Sequence, residues 1–336
     1  MARPKFLPDH FTFALLATVT LASLLPANGT AGHFFEGLTT VAIGLLFFMH
    51  GAKLSREAVL AGVTHWRLHL LVFGCTFAMF PLLGLALKPV LSPLVTPELY
   101  TGVLFLCVLP ATVQSAIAFT SMARGNIPAA VCSASASTLL GVFVTPLLVN
   151  LLVVKGGTSG SFDAIGRILL QLMLPFVVGH LMRPVIGQWI KQRAGVLKFV
   201  DQGSILLVVY TAFSAAVIEG LWKQVPMSAL LGLLLVCGVL LALALVLSTV
   251  LARKLGFDKE DEITIVFCGS KKSLASGIPM AKVLFASHAV GAIVLPLMLF
   301  HQIQLMVCAV LAQRYARRLV VTRPETPAPA STTTTG

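Results

Sequence analysis

The sequence predicts an all-α polytopic membrane protein, and three observations carry that prediction. Hydrophobic residues make up 57% of the 336 and charged residues only 11%, with a mean hydropathy of +0.94. A soluble domain carries about 25% charged residues, so a chain this apolar has too little polar surface to face water. The apolar residues gather in ten runs, each near or above the ~20 residues a helix needs to cross the hydrocarbon. None of the runs alternates as the ~10-residue strands of a membrane barrel do, which leaves helices.

The first run, 11–27, follows a basic stretch and imitates a secretory signal; removing it would leave nine helices and spoil the charge alternation described below, so it is read as a span. The runs at 36–54 and 68–88 are uninterrupted. The fourth, 98–122, is broken by "VLPATVQSAIAFTSMARGN", where Pro110 and small polar residues fall at membrane depth. The fifth, 127–153, carries "CSASASTLL", in which Ser133 and Ser137 share a helix face and Thr138 follows. Such hydroxyls most often bond back to the preceding turn or let helices pack closely. The runs at 165–182, 201–218 and 228–252 are plain spans. The ninth, 262–285, holds "IVFCGSKKSLASGIPMA", and 288–313 is the tenth. His180 and His301, near helix ends, read as satisfied polar residues.

The net charge of +12 is a topology signal. Apart from Lys271 and Lys272, every Lys and Arg except Lys88, Lys155, Arg167, Lys223 and Lys282 falls on the side of the two termini. The positive-inside bias makes that side cytoplasmic. An integral membrane protein follows, in the plasma (inner) membrane if the host is bacterial, with membrane lipid as a partner and no nucleic acid. The formal sequon Asn28-Gly29-Thr30 then lies outside. The six cysteines all sit inside apolar runs and read as packing residues without disulfides. The tail "PETPAPASTTTTG" has the composition of disorder.

Ten runs divide into five and five, and an odd-numbered repeat inserts with opposite topology. The expected organisation is a cytoplasmic N-terminus over 1–10, a first five-helix repeat over 11–153, a second over 162–318, and a disordered cytoplasmic tail over 319–336. In transporters built this way, interrupted spans at matching positions of the halves point to the binding site. The fourth and ninth runs match: each carries a helix breaker and a polar-Ser step, Gln114-Ser115 in one and Lys272-Ser273 in the other. A lysine at mid-membrane costs about 3 kcal/mol even on the lenient insertion scale. Two adjacent ones, Lys271 and Lys272, therefore point to a polar cavity that they face. None of the twelve acids falls at mid-membrane, which disfavours a cation/proton exchanger. The chain has no His-Glu-x-x-His, Gly-x-Ser-x-Gly or acid pair, so no enzyme is expected.

The stretches "LPATVQSAIAFTSMARGN", "SASASTLLGVFVTPLL" and "KSLASGIPMAKVLF" resemble the sodium/bile-acid symporter superfamily, in particular its divergent bile acid symporter-like branch, across about residues 10–318. The resemblance implies ten transmembrane helices in two inverted five-helix repeats, arranged as core and panel domains around two crossing broken helices. It implies substrate or ion binding at Thr112, Gln114, Ser115, Ser133, Ser137 and Thr138, and the reading of the ninth run adds Ser270, Lys271, Lys272 and Ser273 as candidates. Where the family carries the Glu that charge-balances sodium, this chain has Phe267, with Lys271 and Lys272 at the family's Gln and Asn. No cofactor and no certain metal are expected, and Na+ lacks its carboxylate. The expected function is secondary transport of a small organic anion by alternating access, coupled to sodium or protons. The alternative is a regulatory membrane protein of transporter fold linked to calcium homeostasis.

Overall fold

The helices begin and end where local chemistry dictates. The computed structural model describes residues 10–53, 65–153, 162–285 and 290–317. The tail over 319–336 and the N-terminal residues up to 9 lie outside the described residues. Among the described residues every regular element is helical. We number them α1 (His10–Leu24), α2 (Gly29–Lys53), α3 (Trp66–Ala86), α4 (Pro97–Val108), α5 (Gln114–Met122) and α6 (Ile127–Val153). The second half holds α7 (Phe162–Gln192), α8 (Ala194–Ile218), α9 (Met227–Lys254), α10 (Lys259–Gly269), α11 (Leu274–Leu284) and α12 (Val290–Ala316).

Side-chain caps set several starts. Thr96, Asn126, Asp258 and Ser273 each accept a backbone N–H from the first turn of the helix that follows, relieving donors that no helical carbonyl can reach. The ten apolar runs fall on these helices, two of them in two pieces: 98–122 becomes α4 and α5, and 262–285 becomes α10 and α11. By length and composition α2, α3, α6, α8, α9 and α12 can each cross a membrane. Their outward faces carry large exposed apolar side chains such as Phe34, Leu82, Leu151, Phe199 and Leu235, as lipid requires.

Packing sorts the helices into two groups. The closest pair is α2 and α7, where a Cβ on Gly51 would lie 1.9 Å from the Phe176 carbonyl oxygen and one on Gly179 would lie 2.0 Å from that of Phe48. Only residues without a side chain allow backbones this near, the small-residue packing that association in lipid favours. α1 and α8 complete this group, with the buried Thr39 and Thr211 hydroxyls sharing a hydrogen bond of 2.8 Å between α2 and α8. The second group packs α4 and α12 at its centre, with α3, α5, α6, α9, α10 and α11 around them. Its helix ends are tied by Glu262 of α10, which accepts from Arg253 Nε (3.0 Å), Lys259 Nζ (2.6 Å) and the Tyr315 hydroxyl (3.1 Å). All six cysteines are buried and free.

Candidate functional site

Two helix breaks meet inside the second group, and each supplies what the other lacks. Pro110 has no N–H and pushes the residue before it out of helical backbone; Leu109 is extended, at φ −75° and ψ 155°. The last carbonyls of α4 are thereby shed from the helical ladder. In an apolar interior each must find a donor. The Thr145 hydroxyl donates to the Val108 oxygen (2.9 Å), and Ser273 N–H donates to that of Pro110 (2.9 Å). Lys272 Nζ donates to the oxygens of Cys107 (2.9 Å) and Leu109 (2.8 Å).

The third N–H of the Lys272 ammonium goes to the Thr76 carbonyl at 2.7 Å. That acceptor is free for a local reason. Residues 75–79 of α3 form a π-helical turn, in which Phe80 N–H donates to Cys75 O instead of Thr76 O. The next residue, which would serve Thr76 in the wider register, is Pro81 and has no N–H. Lys272 is thus fully satisfied, with the Phe80 ring 4.3 Å from its nitrogen. Lys271 is held differently: it donates to the Ser115 carbonyl at 3.0 Å and lies over the ring of Phe119 at 3.7 Å, with Phe267 at 5.4 Å.

The second break is closed by a residue that the sequence reading did not single out. Gln304 of α12 accepts Lys272 N–H on Oε1 and donates from Nε2 to the Lys272 carbonyl, both at 3.0 Å, pairing with that peptide unit on both sides. Nε2 also donates to His301 Nδ1 at 2.8 Å. The two amides of "FHQIQLMVC", Gln302 and Gln304, were the available signal.

Beside the breaks lies a cavity of about 340 Å³. Thr112, Gln114, Ser115, Thr138 and Ser273 line it, joined by Ser135, Ser276 and His301, which were not expected. Thr112 and Ser115 share a hydroxyl hydrogen bond of 2.7 Å. The opposite wall comes from the first helix group: Phe11, Leu46, Phe176 and Ile205, with His50, Lys53, Lys198 and Asp201. Lys53 and Asp201 form an ion pair. An adjoining pocket of about 270 Å³ shares Lys53, Gln114, Lys198 and Asp201 and adds Arg183.

The remaining expected residues lie behind this wall or away from it. Ser137 donates no wall contact; its hydroxyl accepts Ala111 N–H at 3.0 Å and steadies the first break. Ser270 bonds back to Val266 O at 2.5 Å. Ser133 pairs with His69 Nδ1 at 2.7 Å on the far side of α6. Both lysines are 0% exposed. The expectation that they face the polar cavity is corrected here: carbonyls and aromatic faces satisfy them inside the protein, behind the wall.

The chain is similar to transporter-family proteins along nearly its whole length. The SBF-like CPA transporter family matches residues 9–317. Among similar chains, the uncharacterized protein PA2026 of Pseudomonas aeruginosa is 73% identical, over 95% of this chain and 96% of its own. YfeH of Escherichia coli, which carries a symporter's name, is 60% identical over 92% and 93%. The sodium/bile acid cotransporter 7 of Mus musculus is 30% identical over 90% and 91%.

Proposed function

The chain belongs to the SBF-like CPA transporter family, and from that premise we propose that it is a secondary active transporter of a small organic anion, working by alternating access. One observation carries the reading: the cavity lies between the two helix groups, with one wall from each. On the first side stand α1, α2, α7 and α8; on the second stand the breaks, α6 and α12. A solute held there is released if one group shifts against the other. We read the first group as a panel and the second as a core, within ten membrane helices in two inverted repeats.

Size and chemistry suit an organic anion. The volume falls within the ~300–1,000 Å³ of small-molecule sites. Apolar side chains of the panel would take a hydrocarbon body, while Gln114, Ser115, Thr138 and Ser273 would hold polar groups. Lys53, Lys198 and Arg183 give the mouth its positive charge, against which Asp201 is the single acid among the residues lining the two pockets. The basic end is cytoplasmic by the positive-inside bias, so the cavity opens inward. At the other end Gly291 of α12 packs against α8 so closely that a Cβ would lie 2.7 Å from the Ala216 Cβ, and Lys282 of α11 pairs with Glu36 of α2 at 3.3 Å. Coupling to Na+ or protons would supply the driving force.

The test is uptake by purified protein in liposomes, using labelled carboxylates and sulfonates from small aliphatic acids to steroid conjugates. Saturable uptake of one class is expected, and exchanging Na+ for choline or imposing a pH gradient identifies the coupling. Absence of uptake together with absence of ligand-dependent thermal stabilisation across the set would overturn the reading.

A further inference from the structure

The three carbonyl oxygens around Lys272 Nζ come from separate places in the fold, Thr76 from α3 and Cys107 and Leu109 from the end of α4. They converge on one point at 2.7, 2.9 and 2.8 Å. Among the described residues no carboxylate bridges to this ammonium. The surroundings are a ring face and neutral dipoles: Phe80 at 4.3 Å, with Cys75 and Cys107 close by. Divalent ions are held by oxygen sets rich in carboxylates. Neutral carbonyl oxygens instead replace the hydration shell of a monovalent cation, as in potassium-selective filters.

The geometry points to a monovalent-cation seat, formed by the carbonyls of Thr76, Cys107 and Leu109, that the chain fills with its own Lys272 ammonium. The seat goes beyond the transport reading and does not need it. Its oxygens are already oriented, because the π-helical turn and Pro81 free one and Pro110 frees the others, whatever occupies the centre. An ammonium joined to the backbone keeps the two breaks together without a soluble ion. Removing it while leaving space should turn the seat into a site for potassium, sodium or ammonium. Lys271 offers no such seat, since its nitrogen meets one carbonyl and two aromatic faces.

The experiment compares the thermal unfolding of wild type, Lys272→Ala and Lys272→Met in detergent, with chloride salts of K+, Na+, NH4+, methylammonium and choline at equal ionic strength. Alanine vacates both the stem and the seat, so the ion and a bridging water can enter. Methionine fills the same space with an uncharged chain. Wild type is expected to be indifferent to the cation. Lys272→Ala should melt lower in choline and recover by about 2–4 °C when a small cation stands about tenfold above its Kd. Lys272→Met should melt lower and not respond. If Lys272→Ala cannot be purified in choline, recovery of folded protein in K+, Na+ or NH4+ alone supports the seat equally. A cation-specific gain in Lys272→Ala no larger than in wild type overturns it, as does failure of that variant to fold in every salt. No uptake measurement enters, so this result and the fate of the transport reading are independent.

Discussion

The two helix breaks meet within one group of helices, yet they solve opposite problems. The break after α4 is an acceptor: the carbonyls of Cys107, Leu109, Pro110 and Ser115 all receive donors from the other break. The break after α10 is the donor, through Lys271 Nζ, Lys272 Nζ and Ser273 N–H. A helix that ends leaves carbonyls over, and a helix that begins leaves N–H groups over. Pro110 enlarges the deficit on one side, and the lysines enlarge the supply on the other. The two lysines are therefore buried, while both breaks meet the cavity, the first through Ser115 and the exposed Gln114 and the second through Ser273 and Ser276.

If the breaks are complementary in this sense, removing donors should hurt most. Lys272→Met strands three buried carbonyls, each costing about 1–3 kcal/mol unpaired, so a loss of ~3 kcal/mol or more is expected in reversible unfolding. A loss under ~1 kcal/mol would mean that the carbonyls find other donors and that the pairing of the breaks is incidental. Gln304→Leu comes next, since it removes one donor and one acceptor from the Lys272 peptide unit; about 2 kcal/mol should go. Gln304→Glu, keeping the acceptor but not the donor, should fall between it and wild type. The smallest stability effect should come from the cavity side. Gln114→Ala and Ser115→Ala should change stability by no more than about 0.5–1 kcal/mol, because the Ser115 carbonyl that holds Lys271 is backbone and survives. The same pair should markedly reduce uptake and ligand-dependent stabilisation. Equal losses of stability from both sets of substitutions would erase the distinction between the groups that hold the breaks together and those that face the cavity.

Much of this arrangement was legible in the residues. Both interruptions were visible as breakers at membrane depth, Pro110 in one run and Gly269-Ser270 before the lysines in the other. Five of the ten expected residues, Thr112, Gln114, Ser115, Thr138 and Ser273, line the cavity. The orientation of the lysines was not legible. A charged residue at depth announces that it has partners but not which kind, and carbonyls are present at every position. Lys53, Lys198 and Asp201 were read only as loop or helix-end charges, since nothing local says that α2 and α8 bring them beside Gln114.

The sequence by itself determined that the chain is helical and the two places where its helices break, whereas helices such as α7 and α8 run beyond the apolar runs 165–182 and 201–218. Helicity and the breaks depend on apolar run length, on a proline without an N–H and on capping side chains, all of which act within a few residues. Only the tertiary structure decided which groups meet at the breaks. The Thr76 oxygen lies 196 residues from Lys272, and those of Cys107 and Leu109 lie 165 and 163 residues away. Thr76 is an acceptor there only because a π-helical turn displaces one hydrogen bond and Pro81 withholds the next. A backbone carbonyl has the same chemistry at every residue, so its selection as a partner leaves no mark in the side-chain alphabet and is settled by where packing leaves it unpaired.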